Sequence, residues 1–220
     1  MHTTVQNLIN IKKIIQVKIN ELNYNNYSPK IIAVSKTFKI DYISHLIEHG
    51  HYDFGENKVQ EAAEKWTEVK SRNSNIKLHM VGRLQTNKVK PALKIFDYIH
   101  SLDNLKLAKK ISDEQKKYEV KPKLFIQINF ESEKQKSGID KNDLNDFHNS
   151  CKNLDLDVIG TMCIPPNDNK TEIYFSQMND LSASSGLKEL SMGMSEDYLI
   201  SIKYKSTFLR IGSKIFGNRY

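Results

Sequence analysis

The chain has 220 residues, 39% of them hydrophobic, with a formal net charge of +7 from 33 Lys and Arg against 26 Asp and Glu. That content suffices for one well-packed domain; no apolar run nears the roughly 20 residues that span a bilayer, and the N-terminus has no signal-peptide core, so a cytoplasmic protein is expected. The basic balance admits a polyanion such as RNA, but the lysines fall in isolated pairs such as Lys12-Lys13 and Lys109-Lys110, the pattern of a solvated surface rather than a specific nucleic-acid site.

From Thr4 to Leu22, Leu8, Ile11, Ile15, Ile19 and Leu22 share one helical face, with Thr3 or Thr4 as cap. Ile31-Ile32-Ala33-Val34 reads as a strand buried on both faces and runs straight into Ser35-Lys36. A lysine there is either an amine at a ligand-bearing strand end, able to act as a nucleophile, or an ordinary exit whose ammonium reaches water. Asp41 is expected to cap a helix carrying Ile43, Leu46 and Ile47, with Gly50 as its stop. A short strand at Tyr52 to Phe54 leads into Gly55-Glu56-Asn57, and Val59, Ala62, Ala63, Trp66 and Val69 mark the next helix.

The unit then repeats. Leu78 to Val81, Tyr98 to Leu102, Lys123 to Asn129, Val158 to Met162, Leu190 to Met192 and Phe208 to Ile211 read as strands. Helices are expected at Thr86 to Ile95, after an Asp103 cap, around Leu144, Phe147 and Cys151, at Thr171 to Leu181, and from a Ser195 cap through Ile202. Eight strands alternating with helices call for a parallel α/β sheet, and eight units close a barrel: a single (β/α)8 TIM-like barrel with an extra N-terminal helix. Cys151 and Cys163 show neither metal-site spacing nor the density of a disulfide scaffold.

In such a barrel the residues after each strand gather on one rim. Here that rim holds Lys36, Gly55-Glu56-Asn57, Arg83, Gln85 and Asn87, Ser137-Gly138, Ser191-Met-Gly-Met-Ser195 and Arg210-Ile-Gly-Ser213. Loops after the last two strands form the recurrent phosphate site of the architecture; Gly193 and Gly212 admit close backbone approach, Ser191, Ser195 and Ser213 carry hydroxyls, and Arg210 carries charge. An amine opposite a phosphate cradle points to pyridoxal phosphate. Two other motifs compete: His45-Leu-Ile-Glu48-His49 has the H-x-x-E-H spacing of a zinc peptidase, but Leu46 and Ile47 are the packing residues, and His79 in a strand reads as hydrogen-bonded structure rather than a general base.

Ala33-Val34-Ser35-Lys36-Thr37, Phe54-Gly55-Glu56-Asn57-x-x-Gln60-Glu61, His79-x-x-Gly82-x-Leu84-Gln85-Thr86-Asn87-Lys88, Lys136-Ser137-Gly138, Ser191-Met192-Gly193-Met194-Ser195 and Arg210-Ile211-Gly212-Ser213-x-Ile215-Phe216-Gly217 together resemble the pyridoxal phosphate homeostasis protein family. The resemblance implies a pyridoxal phosphate fold of type III, a single barrel over residues 1–220 like the N-terminal domain of alanine racemase. It implies that Lys36 carries the cofactor as a Schiff base and that Asn57 lies beside it. Ser191, Gly193, Ser195, Gly212 and Ser213 are implied to serve the phosphate or its surroundings, and Arg210 to face the pyridine nitrogen. Threonine is usual in the family at the position of Ser213, so a hydroxyl is kept. The implied function is a carrier that buffers pyridoxal phosphate in intracellular vitamin B6 homeostasis without turnover, with dependent apoenzymes as recipients. The implied chain is a monomer, because the second domain through which related racemases dimerise has no counterpart here. A pyridoxal phosphate-dependent amino-acid racemase and a basic RNA-binding protein stand as the alternatives. Lys136 is open between a second amine for the aldehyde and a solvated loop lysine.

Overall fold

The structure, a computed structural model, describes residues 1–130, 137–166 and 168–217. Helix α1 (Thr3–Glu21) precedes strand β1 (Lys30–Val34), and alternation then runs through α2 (Ile40–Glu48), β2 (Asp53–Glu56), α3 (Val59–Arg72), β3 (Lys77–Met80), α4 (Val89–Leu93) and β4 (Tyr98–Leu102). It continues with α5 (Leu105–Tyr118), β5 (Lys123–Asn129), a two-residue strand β6 (Ile139–Asp140), α6 (Leu144–Asn153), β7 (Val158–Cys163), α7 (Thr171–Ser184), β8 (Glu189–Met194), α8 (Tyr198–Lys203), β9 (Phe208–Ile211) and α9 (Ser213–Phe216).

Every pairing is parallel, and the order β1-β2-β3-β4-β5-β7-β8-β9 returns to β1, so eight strands close a barrel as the alternation demands. The seam is the β1–β9 pair, where Ile32 sits opposite Arg210 and Ala33 opposite Ile211. Strand β6 is an addition that pairs only with the end of β5, Ile139 beside Ile128. Side chains alternate along β1 as the pleat requires: Ile32 and Val34 join Tyr98, Phe125, Met162 and Phe208 in one cluster, and Ile31 and Ala33 join the larger core shared with the helices.

Several helix starts differ from the sequence reading. His2, not a threonine, caps α1 through Nδ1 to the Thr4 N–H, and Asn104, not Asp103, caps α5 through the Leu107 N–H. Asp41 lies inside the first turn of α2, and the segment from Thr86 begins as a 3-10 turn before α4. Pro91 accounts for the last difference, because it has no N–H and is tolerated only near a helix start.

Helix α1 buries Leu8, Ile11, Ile15 and Ile19 outside the barrel, and Asn7 Nδ2 donates to the Ile215 carbonyl of α9 at 3.0 Å. The N-terminal helix therefore braces the segment that follows β9, at the C-terminal ends of the strands.

Candidate functional site

At the C-terminal ends of the strands a cavity of about 490 Å³ is lined by Lys36, Asn57, Ser195, Arg210, Gly212 and Ser213, together with Val34, Phe38, Val81 and Ile164. Six of the eight residues named from the sequence thus meet around one space. Lys36 is half-buried, and the backbone beyond it is unusual: Thr37 has φ +70°, a left-handed conformation that turns normally give to Gly or Asn. The Phe38 N–H closes that turn on the Ser35 carbonyl at 3.1 Å, and the Thr37 N–H donates to Glu61 Oε1 at 2.5 Å. Lys65 Nζ donates to Ser35 O and Glu56 Oε1, both at 2.9 Å, and to Glu61 Oε1 at 3.2 Å. Burial pushes the Glu61 carboxyl up, but the Thr37 N–H and Lys65 outweigh it and hold Glu61 below the usual carboxylate range. A strained turn anchored from α3 thus sets where Lys36 leaves the strand.

Asn57 follows β2 and is backed by Gly82, where a Cβ would collide with the Asn57 backbone. Across the cavity, Ser195 does not cap α8, which Asp197 precedes; its Oγ instead accepts the N–H groups of Gly212 at 3.3 Å and Lys214 at 3.5 Å. Both acceptances leave the Ser195 O–H free to donate into the cavity, so the loops after β8 and β9 are tied together by a hydroxyl suited to an anion. Asp197, which the sequence reading did not name, accepts the Met194 N–H at 2.6 Å, and burial raises its carboxyl. Gly193 has φ +89°, and a Cβ there would run into the Ser201 hydroxyl; it shapes the loop without lining the cavity.

Arg210 is almost wholly buried. Its Nη1 donates to the Ser191 carbonyl at 2.6 Å and to Ser191 Oγ at 2.7 Å, and its Nη2 to the Cys163 carbonyl at 2.8 Å. Three of the five guanidinium donors are held by the barrel wall, and the residue also lines the cavity. Burial lowers its pKa, and among the described residues no carboxylate is within ion-pair reach of it. Ser191 therefore stands behind Arg210, fully buried, rather than on the cavity surface. The donor set fits pyridoxal phosphate: a primary amine on one side, a buried guanidinium behind, and hydroxyl and backbone donors for a phosphate opposite.

Lys136 lies outside the described residues. His45 Nδ1 is 3.6 Å from Glu48 Oε2 and its ring stacks on His2, and among the described residues no three potential metal ligands gather.

Residues 14–219 match the family described as alanine racemase, N-terminal domain. The chain is 35% identical over 228 residues to the pyridoxal phosphate homeostasis protein of Pasteurella multocida, covering 99% of this chain and 98% of that one. It is 32% identical over 230 residues to the protein of the same name from Escherichia coli K12, covering 100% and 98%. The solved structure of PipY from Synechococcus elongatus with pyridoxal phosphate bound superposes with a TM-score of 0.79 at 30% identity, over 92% of this chain and all of that one. Alanine racemase of Clostridium difficile shares the fold at 15% identity, with a TM-score of 0.67, over 93% of this chain and 56% of its own.

Proposed function

The chain belongs to the pyridoxal phosphate homeostasis protein family, and from that membership we propose that residues 1–220 act as one barrel that binds and buffers pyridoxal 5'-phosphate at the rim of β1, β8 and β9. The observation that carries the reading is the meeting of Lys36 and Arg210 in one cavity, from strands that neighbour each other at the barrel seam. Pyridoxal phosphate, when bound, supplies an aldehyde that bonds reversibly to a primary amine.

Lys36 is the amine in this reading, aimed by the Thr37 turn. Ser195 and Ser213, with the backbone of Gly212, hold the phosphate by donating hydrogen bonds, and Asn57 closes the side nearest β2. Gly193 shapes the loop that carries Ser195, and Ser191 holds Arg210. The guanidinium carries donors only and keeps its protons, so a ring nitrogen facing it stays unprotonated. That withholds the electron-withdrawing charge that amino-acid racemisation needs, and favours a carrier, with apoenzymes as recipients, over an enzyme. The names of the relatives point the same way.

The test is a near-visible spectrum of the purified protein with added pyridoxal phosphate, before and after borohydride, followed by peptide mass analysis. The expected result is a band that borohydride bleaches, a reduced adduct on the peptide holding Lys36, and neither in Lys36→Ala. An adduct spread over surface lysines would sink the assignment. Turnover of alanine lost with Lys36→Ala would replace the carrier by a racemase.

A further inference from the structure

The cluster inside the barrel contains a polar chain that its apolar neighbours do not require. Asp53 Oδ1 lies 3.1 Å from His79 Nε2; His79 Nδ1 lies 3.0 Å from His100 Nε2; His100 Nδ1 lies 2.8 Å from Ser191 Oγ, which Arg210 Nη1 reaches at 2.7 Å. Both imidazoles and the hydroxyl are fully buried. Each ring is clamped, His79 on Tyr98 at 4.3 Å and His100 on Phe125 at 4.2 Å between centroids. Asp53 begins β2 at the opposite end of the barrel from the cavity, where its side chain is 24% exposed.

The chemistry of the two ends fixes every proton between them. Arg210 can only donate, so Ser191 Oγ accepts from it and turns its own hydrogen to His100 Nδ1. A neutral His100 then carries its proton on Nε2 and donates to His79 Nδ1, and a neutral His79 donates from Nε2 to Asp53. Reading from the other end gives the same answer, because an ionised carboxylate can only accept. Burial holds the pKa of His79 below, and that of His100 well below, the ordinary imidazole value, which keeps both neutral near pH 7. All four bonds thus point from the guanidinium to the carboxylate, and bonds aligned head to tail polarise one another.

We infer that His79, His100 and Ser191 are positioning residues that lock Arg210 against the barrel wall through a one-directional hydrogen-bond chain that ends on Asp53 across the barrel. The consequence is local: Arg210, whose charge burial disfavours and Asp197 favours, is held in one orientation beside the cavity. For a cofactor that consequence rests on the pyridoxal phosphate reading, whereas the direction of the chain does not.

The test has two readouts. Side-chain 1H–15N correlation spectra of the wild-type protein without added cofactor are expected to show both histidines as neutral Nε2–H tautomers at pH 7. An Nδ1–H tautomer at either ring, or an imidazolium at pH 7, would overturn the inference. Second, His100→Leu is expected to release bound pyridoxal phosphate about tenfold faster and to shift its absorption band, the size of one hydrogen bond to a charged group. His100→Asn, whose amide oxygen replaces Nδ1 as acceptor for Ser191, restores retention. Unchanged release and spectrum in a folded His100→Leu protein would also overturn it. If the wild type takes up no pyridoxal phosphate, the proposed function fails, and the tautomers still decide the chain.

Discussion

Glu56 Oε1 lies 2.9 Å from Lys65 Nζ, and the carboxylate has no exposure to water at all. The same oxygen accepts from Ser35 Oγ at 2.8 Å and Trp66 Nε1 at 3.0 Å, so one buried atom fastens β1, β2 and α3 together beneath the strand exit that bears Lys36. Removing one partner of such a pair strands a charge in a low-dielectric interior. Lys65→Met is therefore expected to cost about 3–5 kcal/mol in urea unfolding. Adding Glu56→Gln, which keeps an acceptor and removes the charge, recovers part of the loss. A cost near zero would show that the Lys65–Glu56 pair does not hold these elements together.

Acid sensitivity follows from His51, whose pKa burial pushes down to about 4. The unfolded chain takes up a proton below the ordinary value of 6.5, and the folded chain waits until about 4. Stability from keeping this ring neutral is complete above pH 6.5 and is lost as pH falls towards 4, by about 3 kcal/mol. Urea midpoints measured across that window are expected to fall with pH, in the direction that His79 and His100 also dictate. His51→Asn flattens the slope; an unchanged slope would refute the burial of this imidazole.

Two glycines with left-handed backbones make a paired test. Gly186 has φ +68° with nothing within 4 Å of a Cβ, so Gly186→Ala costs only the backbone preference, about 1 kcal/mol. Gly193→Ala adds a collision with Ser201 and is expected to cost several kcal/mol, about 3 or more. Thermal melts of the two variants should separate clearly, and equal shifts would mean that α8 yields without resistance.

Leu8 is fully buried on α1. Leu8→Ala is expected to lose about 2–5 kcal/mol of stability. Because Asn7 on the same helix holds the Ile215 carbonyl, the change should also speed hydrogen exchange of the α9 amides. A destabilised protein with unchanged exchange in α9 would show that the brace is not transmitted to the rim.

The eight barrel strands were legible because strands buried on both faces leave continuous apolar runs, as in Ile31 to Val34, and six of the eight residues named from the sequence line one cavity because barrel topology fixes which loops share a rim. What escaped has no local pattern. The two-residue β6 carries no run long enough to read, and the left-handed Thr37 is held by Glu61 and Lys65 from another element. Ser191 looked like a rim hydroxyl because the strand's direction, not its side-chain orientation, was visible; the pleat turns it inward to Arg210. His79 read as structure, and His100 gave no signal alone, since their relation spans 21 residues and two strands.

Barrel closure has a temporal side. The amine of Lys36 leaves β1 and the guanidinium of Arg210 leaves β9, the first strand and the last, joined only at the seam. During synthesis, a nascent chain on the ribosome has its lysine long before it has the opposing wall, and β1 stays an open edge until β9 arrives. No half-made chain holds both walls of the cavity, so the cavity exists only in molecules whose barrel has already closed.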